Sequence, residues 1–72
     1  MSTVMWEAKA APGRAAELLA WALANAAPAA AVYRGGDGRV VVIDESAAGL
    51  PDAPPELLAR APHVWPFQRV LR

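Results

Sequence analysis

His63 is the single histidine of this chain, and an imidazole suits acid or base chemistry near neutral pH. Tyr33 is the only tyrosine and adds a hydroxyl that can donate or accept a hydrogen bond, so His63 and Tyr33 form the candidate catalytic pair. Zinc or iron would need several ligands. Cysteine is absent, and Glu7, Asp44 and Glu45 stand at no metal-ligand spacing from His63, so no metal is expected. Asp44 and Glu45 are neighbours on an extended segment and point to opposite faces. They are read as the place where a strand emerges into solvent, not as a carboxylate pair.

The aromatic residues Trp6, Trp21, Tyr33, Trp65 and Phe67 are a large load for 72 residues, and core packing accounts for most of it. Trp6 and Trp65 are also placed to line a pocket for a planar molecule, with Arg34 or Arg69 steadying an anion. Trp21 falls at the border of a polar helix face beside Arg14, Glu17 and Asn25, which marks it as an interface residue. The run Gly35, Gly36, Asp37, Gly38 resembles a phosphate cradle only in composition. It lacks the following helix and lysine, and it reads as a hairpin turn.

Positioning these residues requires six elements. Thr3 to Lys9 alternates as a half-buried strand, with Val4, Trp6 and Ala8 on one face. Pro12 and Gly13 interrupt it, and from Arg14 onward Ala15, Leu18, Leu19, Ala22, Leu23 and Ala26 follow helical spacing until Pro28 stops the helix. Ala29 to Arg34 and Arg39 to Asp44 are the arms of the hairpin. The second arm, with Val40, Val41, Val42 and Ile43 in succession, demands cover on both faces, and Val41 and Ile43 become interface candidates. Ser46 to Asp52 is a connection, Pro54 to Arg60 a short helix, and His63 to Leu71 a final strand with Trp65 and Phe67 on one face and Val64 and Pro66 on the other. The expected fold is α+β, ferredoxin-like βαββαβ, a single domain over residues 1–72, with a four-stranded antiparallel sheet and both helices on one face. In that arrangement the third strand inserts between the first and second, and the Pro66 strand is an edge.

Composition narrows the function classes. Seven basic and seven acidic residues cancel, which removes the phosphate attraction of most nucleic-acid binders. No sustained apolar run reaches bilayer length, because Glu17, Asn25 and Pro28 interrupt the alanine-rich middle. The segment around Val4 and Met5 has neither the basic nor the apolar region of a signal peptide, so a soluble cytoplasmic protein is expected, with no membrane or nucleic-acid partner. A chain this short buries only roughly 60% of its unfolded surface, and without disulfides self-association is the expected support.

With this element order and a third strand asking for outer cover, the chain resembles the dimeric α+β barrel superfamily and its antibiotic biosynthesis monooxygenase-like branch. The resemblance runs from the opening strand and the Pro12-Gly13 lead into the first helix to the aromatic final strand. It implies a homodimer with two sheets packed face to face, and small molecules bound in each protomer between sheet and helices. Asn25 lies on the first helix rather than the first strand, so the asparagine, tryptophan and histidine set of haem-degrading members has no counterpart and no cofactor is expected. The first functional reading is a binding protein, with no need of a catalytic set, for an apolar or aromatic small metabolite. The alternatives are a cofactor-independent monooxygenase of natural-product metabolism and a structural dimeric module that serves a protein partner through Trp21.

Overall fold

The computed structural model describes residues 2–46 and 48–71; Ala47, within the expected Ser46 to Asp52 connection, lies outside them. The elements run β1 (Ser2–Lys9), α1 (Ala15–Asn25), β2 (Ala31–Arg34), β3 (Arg39–Asp44), a 3₁₀ turn (Pro55–Leu57) and β4 (His63–Gln68). The strands form one antiparallel sheet in the order β2-β3-β1-β4, so β1 and β3 are central and β2 and β4 are edges. Among the described residues this is a small α+β fold with one α-helix.

The expected second helix is a correction. Between Pro54 and Pro62 only a three-residue 3₁₀ turn forms, and Leu58 is already extended at φ −110 and ψ 136. Pro54 and Pro55 can open a helical turn, but too few residues follow before Pro62 for a costly helical nucleus to be repaid by propagation. The segment instead bonds to the far end of β1. Ala11 N–H donates to the Leu57 carbonyl at 2.8 Å, and Ala59 N–H donates to the Lys9 carbonyl at 2.9 Å. The chain therefore follows βαββ, a 3₁₀ turn and β, rather than βαββαβ.

Local chemistry sets the other elements. Arg14 N–H bonds the Ala11 carbonyl at 2.9 Å across Pro12 and Gly13, and Gly13 has φ +76, the geometry of a type II turn leading into α1. The helix ends where Ala26 turns extended, two residues before Pro28, and the Asn25 side-chain amide donates to the Trp21 carbonyl at 2.8 Å. In the hairpin, Asp37 and Gly38 have φ +60 and +73 and Arg39 N–H closes on the Gly36 carbonyl, the Asp-Gly pattern favoured in tight hairpins. Gly38 also approaches β1. Its carbonyl accepts from Ala10 N–H, and a Cβ there would stand 3.3 Å from the Ala10 Cβ.

The core lies between α1 and one face of the sheet. Trp6, Ala8 and Ala10 of β1 and its extension meet Val40 and Val42 of β3, Leu18 and Ala22 of α1, and Leu57 of the 3₁₀ turn. The expected helical stripe is rotated. Leu18 and Ala22 are fully buried and Trp21 packs against the core, whereas Leu23 is 61% exposed. The alanine-rich helix is apolar around most of its circumference, so contact with the sheet, not amphipathicity, selects the buried side. Asp44 is a second correction. It is buried rather than at the solvent boundary, because its carboxylate accepts bonds from Ser46 N–H at 2.8 Å and from the Ser46 hydroxyl. Those bonds and the Gly49 and Ala48 amides hold its carboxyl below the ordinary value, against the opposing effect of burial.

Candidate functional site

Strand periodicity sorts the expected site residues onto two faces. Paired positions place Trp6 on the α1 side of the sheet, opposite Val42 and Val64, and Trp65 on the other side, opposite Met5. Trp6 is buried, its ring 5.9 Å from that of Trp21. Trp6 and Trp65 thus line no common pocket, and half-buried Trp21 covers Trp6.

The face away from α1 is open. On it stand Tyr33 and Ala31 of β2, Val41 and Ile43 of β3, Met5 and Glu7 of β1, and His63, Trp65 and Phe67 of β4. Tyr33 and Phe67 are about half exposed, and Trp65 somewhat less. Both interface candidates of β3 therefore lie among exposed aromatics, on the strand whose other face is covered by α1.

A charged cluster crosses this open face. The Arg39 guanidinium donates to Glu7 Oε2, and His63 Nδ1 lies 3.7 Å from Glu7 Oε1. The His63 ring is 5.3 Å from that of Trp65. Glu7 is buried under these neighbours. The hydrogen bond from Arg39 holds its carboxyl below the ordinary value; burial opposes this, and the charges of Arg39, His63 and Arg60 reinforce it. Glu7 and Arg39 are residues that sequence reasoning missed. They lie 32 positions apart, and only the β1–β3 register brings them together. Tyr33 shares the cross-strand row of His63 through Val41 and Glu7, but three strand spacings, roughly 14 Å, separate their backbones. Tyr33 instead borders a hollow of about 370 Å³ with Met5, Glu7 and Arg39. Arg69 follows β4 and pairs with Glu45 at 3.4 Å, both exposed.

Several hollows are large enough for a small molecule, and the one beside α1 has the most apolar lining. A groove of about 400 Å³ runs between α1 and the β2–β3 hairpin, walled by Ala15, Leu19 and Leu23 of α1 and by Val40, with Gly38 and Arg34 at the sheet edge. One helix covers a four-stranded sheet, and Leu23 stands largely exposed outside the core. Arg34 is the only expected ligand-binding residue that reaches the groove.

Among the described residues no group of three or more His, Cys, Asp or Glu side chains stands close enough to hold a metal ion, and no helix is long and apolar enough to cross a membrane. No family model matches the chain, and no curated protein or solved structure is significantly similar to it.

Proposed function

We propose that this chain is a homodimer of ferredoxin-like protomers, paired face to face through the open sheet in the manner of the dimeric α+β barrels, and that each protomer binds an apolar or aromatic small molecule in the groove beside α1. The observation that carries the reading is the one-sided cover of the sheet. A single helix leaves Tyr33, Val41, Ile43, Met5, Trp65 and Phe67 together on a face with no partner among the described residues, and leaves the groove open on the other. A second copy supplies the same apolar face by symmetry and answers the double-sided demand of β3.

Native mass spectrometry of the purified protein tests both halves. A dimer carrying additional mass is the expected result, and the mass identifies the ligand. A bare monomer at micromolar concentration overturns the pairing. The enzymatic alternative draws support from one arrangement, His63 set between the Glu7 carboxylate and the Trp65 ring. There His63 would take a proton from a substrate acidic enough to give a carbanion or enolate, and that anion would itself supply the electrons that reduce oxygen. Unchanged turnover of quinol-like substrates by a His63→Gln, Tyr33→Phe double variant would remove that alternative.

A further inference from the structure

The groove carries a charge pattern that narrows its ligand. Among the described residues, Arg34 and Arg39 are its only charged lining residues, and no carboxylate lines it. The two arginines are not equivalent. The Arg39 guanidinium is engaged by Glu7 on the opposite face of the sheet, so only the backbone and stem of Arg39 are left to the groove. Arg14 and Arg69 are likewise neutralised, by Glu17 at 3.0 Å and Glu45 at 3.4 Å. Arg34 takes part in no ion pair or side-chain hydrogen bond among the described residues.

Paired with Val40, Arg34 sits on the α1 side of edge strand β2, at the mouth of a trough whose remaining side chains are apolar. An uncompensated guanidinium beside exposed Leu23 complements a molecule with an apolar body and one anionic end. Ten lining residues and about 400 Å³ suit a small molecule, whereas a protein partner would cover roughly 20–30 residues. We infer that the groove between α1 and the β2–β3 hairpin binds an apolar monocarboxylate, its body against Leu19 and Leu23 and its carboxylate on Arg34. This rests on the small-molecule half of the proposed function and adds the charge of the ligand.

The test is an amide-shift titration of the ¹⁵N-labelled full chain with 2-naphthoate and, separately, with the neutral isostere 2-naphthamide. Both probes should move the amides of Leu19, Leu23 and Val40. The carboxylate should bind roughly fivefold to tenfold more tightly at low salt, a preference that fades at about 1 M salt. Arg34→Gln, at an exposed position, should bring the two affinities within a factor of about two. Ala20→Trp, which fills the groove from α1, should abolish both. Equal affinities in the unaltered protein, or a preference that survives Arg34→Gln, would overturn the carboxylate inference while the groove stands. Failure of both probes to move these amides, or binding that persists in Ala20→Trp, would overturn the groove itself.

Discussion

Replacing Phe67 by alanine separates assembly from folding. Phe67 stands on the open face opposite Thr3, and 52% of it is exposed within one protomer. A buried aromatic side chain covers on the order of 200 Å², so about 100 Å² remains to be covered by a partner. At roughly 25 cal/mol per Å² that is about 2.5 kcal/mol per protomer, and about 5 kcal/mol for a two-fold pair that covers both rings. The dissociation constant of the dimer should rise by roughly three to four orders of magnitude. Within a single protomer the ring is already half in water, so the substitution opens no cavity and costs only strand preference, about 1 kcal/mol or less. Sedimentation velocity over a dilution series, beside urea unfolding of the same samples, reads the two quantities apart. Val64→Ala is the control. Val64 is equally exposed and on the same strand, but it faces the α1 side, and it should leave association unchanged. An unaltered dissociation constant in Phe67→Ala, or an equal effect from Val64→Ala, would refute assembly through the open face.

Leu18→Ala removes a fully buried side chain from beneath α1 and should cost about 3 kcal/mol, read as a fall of roughly 12–24 °C in Tm. Gly38→Ala should destabilise by about 1–2 kcal/mol, because φ is +73 and the new Cβ would meet Ala10, whereas Gly36→Ala, with open space around it, should change urea stability by less than about 0.5 kcal/mol. The carboxyls of Glu7 and Asp44 are depressed in the folded protein from ordinary values of 4.5 and 3.8. Their contribution is present above those values and lost as pH falls through the folded ones, so stability should decline below about pH 4.5, and Glu7→Gln should make the acid limb shallower in pH-dependent denaturation.

What was legible in the sequence was local. The alternation of His63 to Gln68 sorted Trp65 and Phe67 from Val64 and Pro66, and Pro66 marked an edge strand. The Asp37-Gly38 turn and the proline limits of α1 were equally plain, since each depends on backbone chemistry within a few residues. The second helix was not, because helix-forming Glu56, Leu57 and Leu58 were overruled by the pairing of Leu58 with Ala10, which no local pattern encodes. Burial of Asp44 had a local signal, a serine two residues on, that identifies a side-chain-capped turn. The Glu7 cluster had none. His63 lies 56 positions from Glu7 and Arg39 lies 32 away, so their meeting follows only from strand register. The groove was hidden for a related reason. Its apolar wall was read as core, and only the placement of α1 on the sheet, which no local pattern encodes, leaves the face toward the β2–β3 hairpin open.

The pairing of Ser2 with Gln68 also governs how this domain comes into being. β1 leaves the ribosome ahead of the other strands of this sheet, yet it occupies the centre and waits for β3 and then β4 before both its sides are hydrogen-bonded. Until β4 arrives, the nascent chain carries Trp6 and a bare strand edge in an unfinished sheet, the condition in which strands find wrong partners. Closing so long a loop costs entropy before any contact returns it, so folding should be slow for a domain of this size and effectively all-or-none, limited by the meeting of β1 with β4 rather than by α1.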